Sequence, residues 1–175
     1  MWQIRPERPE DSPLVDDLSV KSFGPGRFAK SAYRLRDGVA PDGQLGFVAV
    51  EEGILRGSIR FWPIAAGTVP ALLLGPLAVQ SDQRGRGIGI ALMTRGIEAA
   101  RAKGHRVILL VGDPPYYARV GFTPVPRGRL RFPGPVDPSR LLGLALVDGA
   151  LDTLAGAIAR ARIDEPVCAD GAPLG

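Results

Sequence analysis

Between residues 69 and 111 the hydrophobic pattern changes period twice, and this constrains the fold more than any other feature. Val69 to Gln80 is a near-continuous apolar run suited to a central strand, and Ser81 to Gly89 is a Gly/Arg-rich turn. Ile90, Met93, Ile97 and Ala100 then recur at helical spacing, which predicts a helix from about Ile88 to Lys103, closed by Gly104. Arg106 to Val111 is apolar again. Strand, helix and strand in about forty residues make a right-handed βαβ unit with two parallel strands. Pro76 interrupts the first of them and has no N–H to donate, so the pattern predicts a bulge or splay at Gly75-Pro76.

The flanking elements follow from similar signals. Gln3 to Pro6 reads as a short first strand. Asp11-Ser12-Pro13 has the form of a helix start, a capping side chain ahead of Pro at the first helical position. Leu14, Val15 and Leu18 form the apolar stripe of that helix, and Gly24 ends it. Phe28, Ala32 and Leu35 predict a second helix over 27–36, ended by Gly38. Gly46 to Glu51 and Ile54 to Ile64 flank the hairpin signal Glu52-Gly53. Past residue 111 come a loop and short helix to Val120, and a strand beginning at Gly121-Phe122-Thr123. A Pro/Gly/Arg-rich link, Pro124 to Pro138, leads to a last strand, Leu141 to Val147. Leu151, Leu154, Ala155 and Ile158 fit a helix, with extended Ala/Gly-rich chain as the alternative, and Pro166 to Gly175 reads as a frayed tail. No internal repeat is found, so a single domain over 1–165 is expected.

Composition narrows the function classes. The lone Cys168 excludes an internal disulfide, and the absence of a Cys/His cluster argues against a structural zinc site. The early charges of Met1 to Arg8 do not resemble a signal peptide, and prolines and glycines break the uncharged stretch from Phe61 to Ser81. The expectation is a cytoplasmic protein without a membrane span or bound metal. Of the net +4, residues 84–140 carry 11 basic and 3 acidic side chains, a local +8 that points to an anionic ligand.

The segment Gln83-Arg84-Gly85-Arg86-Gly87-Ile88-Gly89 supplies the chemistry for such a ligand. Glycines between a strand and a helix let successive N–H groups converge on an anion, and the helix dipole points at the same spot. Arg84 and Arg86 add full charges, an arrangement that suits a pyrophosphate. Gly89 is followed by Ile90 rather than Lys, which excludes a Walker A loop, and no G-x-G-x-x-G register fits. The competing reading is a plain Gly-rich turn.

After the next strand comes Gly112-Asp113-Pro114-Pro115-Tyr116-Tyr117-Ala118-Arg119. Asp113 can cap a short helix with Pro114 at its first position, which places the tyrosines at the carboxyl end of a parallel strand, where α/β units bind ligands. A tyrosine there could protonate a leaving thiolate. Taken alone, the pair reads more simply as packing at a hairpin corner.

Together and in this order, the two segments resemble the Gcn5-related N-acetyltransferase (GNAT) superfamily. Its Q/R-x-x-G-x-G/A motif is matched by Arg84, Gly87 and Gly89, and its Y-x-x-x-G-F by Tyr117 to Phe122. The run from Gly112 to Arg119 is similar to a bacterial subgroup of predicted N-acetyltransferases. The resemblance is specific over about residues 70–125 and poor after 126. It implies an α/β fold of the α+β kind: a mixed, mostly antiparallel seven-stranded sheet, splayed between strands 4 and 5 and flanked by helices. It implies acetyl-CoA as acetyl donor to a small-molecule amine or protein amino group. Leu77, Ala78 and Val79 would face pantetheine, and Arg84, Gly85, Arg86, Gly87, Ile88 and Gly89 the pyrophosphate. Tyr116 would line the cofactor site, and Tyr117 would be the general acid.

The chain departs from the pattern in lacking the asparagine that many members carry ahead of the tyrosine helix. Glu51 and Glu52 are weak base candidates, better read as a solvated turn, and no base is assigned. His105 reads as a surface or edge histidine, Cys168 as a tail residue, and Arg127, Arg129 and Arg131 as solvated. A homodimer is common in such folds, but no patch singles one out. Two other functions compete. One is an acyl-CoA-binding module without turnover; the other is nucleic-acid binding by the Arg-rich half, which ranks last because aromatic residues are only 6%.

Overall fold

The structure is a computed structural model that describes residues 1–23, 35, 40–134 and 136–161. Its strands are β1 (Gln3–Pro6), β2 (Phe47–Glu51), β3 (Ile54–Ala66), β4 (Val69–Val79), β5 (Val107–Val111), β6 (Thr123–Pro124), β7 (Leu130–Arg131), β8 (Leu141–Ala145) and β9 (Gly156–Arg160). The helices are α1 (Ser12–Phe23), α2 (Ile88–Ala102) and α3 (Pro114–Ala118). Seven strands run in the order β1-β2-β3-β4-β5-β8-β6, and β9 pairs with both β3 and β7. Pairings along this path are antiparallel except β4–β5, the pair that α2 joins. The expected mixed, mostly antiparallel sheet is therefore present, with β7 and β9 added at its margin.

Apolar side chains cover both faces of the sheet. On one, Phe47, Ile59, Phe61, Leu72 and Leu74 pack against Ile88, Leu92, Met93 and Ile97 of α2. On the other, Ile64, Ala71, Leu73, Val107 and Leu109 meet Leu130, Leu141, Leu154 and Ile158. Helix α2 lies close to β3 because Gly96 offers no Cβ: one built there would stand 2.4 Å from the Phe61 ring.

The splay between β4 and β5 has a local cause. These strands pair only at Leu72–Ile108 and Leu73–Leu109. Immediately beyond, the β3–β4 register slips between Ile59 and Phe61, so that Arg60 faces both Gly75 and Pro76. This is the bulge expected at Pro76, and the Gly75–Pro76 peptide is cis. The Trp62 indole N–H donates to the Gly75 carbonyl, which pins the bulge to β3. From there β4 continues to Val79 with no strand partner on its β5 side among the described residues.

Several expectations are corrected. Of the two readings of the Leu151–Ile158 segment, the helix fails and the extended alternative holds for residues 156–160, which form a strand because β9 fills the open edge of β3 at Ile64–Ala66. Leu141–Ala145 is consequently not the last strand. The cap expected ahead of Pro13 is not formed: Ser12 is itself the first residue of α1 and its hydroxyl donates to Glu7 at 3.3 Å, while the buried Asp11 carboxylate accepts from Arg5 at 2.7 and 3.0 Å and from the Arg8 N–H at 2.7 Å. Arg129 is not merely solvated, since it donates to the carbonyls of Leu151 and Asp152. The helix expected over 27–36 lies outside the described residues except Leu35, which is helical and buried. Gly24, Cys168 and the tail from Pro166 also lie outside them.

Candidate active site

The open flank of β4 is one wall of a cleft of about 340 Å³. Gln80 donates its N–H to the Arg56 carbonyl on β3, at 2.9 Å. Strand alternation therefore directs the N–H of Ala78 to β3 and those of Leu77 and Val79 outward, into the cleft. At the end of β4 the chain turns through Gly85 (φ +86°) and Gly87 (φ +84°), left-handed conformations that favour glycine. Neither glycine has another group within 4 Å of a built Cβ, so the concavity is open.

Gly87 is also the N-cap of α2, and no side chain caps that helix. The first main-chain bond of the helix runs from Ala91 to Gly87, so the N–H groups of Ile88, Gly89 and Ile90 lack helical acceptors. Unsatisfied donors at the positive end of a fifteen-residue helix, beneath an open glycine turn, fit a phosphate group.

The opposite wall is α3. Pro114 opens it as expected, but Asp113, at the N-cap position, makes no side-chain capping bond there. Tyr116 reaches across the cleft: a Cβ on Gly89 would stand 2.2 Å from its hydroxyl. Tyr117 packs edge-on against Tyr116 and Phe122, and lies so close to Gly112 that a Cβ there would be 2.3 Å from the ring. Burial pushes the Tyr117 hydroxyl up to about 12, and burial also raises Tyr116.

Leu77, Ala78, Val79, Arg84, Gly85, Gly87, Ile88, Gly89, Tyr116 and Tyr117 thus meet around one cleft. Arg86 does not join them. Its guanidinium holds both oxygens of Glu51 at 3.0 Å, and the hydrogen bonds from Arg86 keep that carboxyl down at about 2. The pair cancels the charge expected at the cradle and leaves Glu51 a poor base. Sequence reasoning also missed Arg119, which lines the cleft with its guanidinium 5.9 Å from the Tyr116 ring centroid. Its i,i+3 spacing from Tyr116 in a short helix was the available signal.

His105 stands apart from the cleft, 3.8 Å from Asp42. A second cavity of about 640 Å³ lies between α1, the start of β3 and the end of β4, and shares only Arg84 with the cleft. Among the described residues there is no group of three or more His, Cys, Asp or Glu able to hold a metal. No helix among them is long and apolar enough to cross a membrane.

A strand splayed from its parallel neighbour, beside an uncapped glycine turn and facing a tyrosine wall, defines an acyltransferase of the GNAT type. Comparison with known proteins agrees: the family model for the acetyltransferase (GNAT) domain matches residues 42–124, and the chain belongs to this family. It is 32% identical over 160 residues to the uncharacterised N-acetyltransferase YhbS of Escherichia coli (strain K12), covering 89% of this chain and 93% of YhbS. The crystal structure of E. coli YhbS in complex with CoA superimposes with a TM-score of 0.76 at 31% identity, covering 91% of this chain and 89% of that one. A GNAT family acetyltransferase from Brucella melitensis in complex with acetyl-CoA gives 0.68 at 26% identity, covering 93% and 97%.

Proposed function

We propose that the cleft binds acetyl-CoA and that the protein transfers the acetyl group to a small-molecule amine or a protein amino group, with Tyr117 as the proton donor. The observation that carries this reading is the unpaired flank of β4, whose Leu77 and Val79 N–H groups face the same cleft as Tyr117.

When bound, acetyl-CoA supplies a thioester that an amine attacks directly, the N–C bond forming as the C–S bond breaks. The outward N–H groups of β4 are suited to donate to pantetheine and to polarise the thioester carbonyl. Arg84 and the uncapped N–H groups of Ile88, Gly89 and Ile90 take the pyrophosphate. Arg86 instead ties this turn to the β2–β3 hairpin through Glu51. Orienting donor and amine together contributes most of the acceleration. Tyr117 keeps its proton at neutral pH and releases it as charge develops on sulfur. The proton lost by the amine goes to water.

The test is acetyl transfer across a panel of amines, followed by CoA release and product mass, alongside calorimetric titration of acetyl-CoA. Saturable binding with an acetylated product is expected. Saturable binding without transfer to any amine would make this a sensing module, and absence of binding would remove the reading.

A further inference from the structure

CoA carries two phosphates joined as a pyrophosphate and a third alone, as a monoester on the ribose. We infer that Arg119 recognises that lone ribose phosphate and gives the protein a preference for CoA over dephospho-CoA. The inference rests on CoA occupying the cleft.

Two cations line the cleft among the described residues, Arg84 and Arg119, and they stand on opposite walls. Arg86, the other basic residue of the turn, is held by Glu51. Arg84 immediately precedes Gly85 and so belongs with the pyrophosphate cradle. Arg119 comes from the residue following α3 and is set off from the cradle by Tyr116. That tyrosine touches Gly89 with its hydroxyl and carries the guanidinium against its ring, 5.9 Å from the centroid.

The Arg119 guanidinium makes no hydrogen bond or ion pair with any described residue, and the residue is exposed. A guanidinium resting on an aromatic ring keeps its donor edge for a planar, two-point contact with phosphate. A monoester phosphate offers nearly two negative charges and three acceptor oxygens, a match for that edge.

Calorimetric titration of CoA and dephospho-CoA into wild type, Arg119→Gln and Arg119→Lys tests this directly. Wild type is expected to bind CoA about tenfold more tightly than dephospho-CoA, the scale of an exposed charge-assisted contact. Arg119→Gln should lower CoA affinity to that of dephospho-CoA while leaving dephospho-CoA unchanged, and Arg119→Lys should keep part of the preference. Equal weakening of both ligands in Arg119→Gln would overturn the inference, because Arg119 would then serve the pyrophosphate or Tyr116. Equal affinities in wild type would overturn it as well. If wild type binds neither ligand, the cleft assignment itself fails, and the inference with it.

Discussion

Tyr117 is held in place by an absence. Gly112 follows β5 with no side chain, and the tyrosine ring fills the space where a Cβ would stand, 2.3 Å from its nearest ring atom. Gly112→Ala should therefore push the ring aside while leaving the phosphate cradle untouched. The expected result is a fall in kcat of about a hundredfold, the scale of a misplacement near 1 Å, with acetyl-CoA affinity nearly unchanged. Steady-state kinetics and a titration read the two effects separately. The sequence made Tyr117 legible through its spacing to Gly121-Phe122, but not the need for Gly112. Close approach between a backbone and a ring is a tertiary fact, and no local pattern encodes it.

At the scale of elements, the glycine turn and the β2–β3 hairpin act as one unit because Glu51 and Arg86 join them. Glu51 titrates near 2 in the folded protein, below its ordinary range, so its contribution to stability is complete above pH 4.5 and is lost as pH falls toward 2. Glu51→Gln should consequently lower the melting temperature slightly at pH 7, with the difference from wild type fading by pH 2. Melting curves at several pH values check this, and a difference that grows on acidification would contradict the assignment. β3 and α2 were readable because each keeps one period along its length, and β4 and β5 because each is an apolar run bounded by turn residues. β9 was not, since Leu151, Leu154 and Ile158 mimic a helix while the open edge of β3 selects a strand. The fate of the Arg-rich link was hidden for the same reason: Arg129 finds its carbonyl partners twenty-two and twenty-three residues away.

Over the whole molecule, the sheet opens at the Gly75–Pro76 bulge, and that opening sets the N–H groups of Leu77 and Val79 opposite Tyr117. Local excess charge in residues 84–140 pointed to an anion, and the fold brings Arg84 and Arg119 of that segment to the cleft while Arg86 pairs with Glu51 and Arg129 with two carbonyls. Holding of the thioester and pyrophosphate by β4 and the glycine turn is separable from proton delivery by Tyr117. Tyr117→Phe tests it most directly, through kcat with the best amine and the dissociation constant of acetyl-CoA measured on the same preparation. The expected result is a kcat reduced about a hundredfold or more with the dissociation constant nearly unchanged. An unchanged kcat would contradict it.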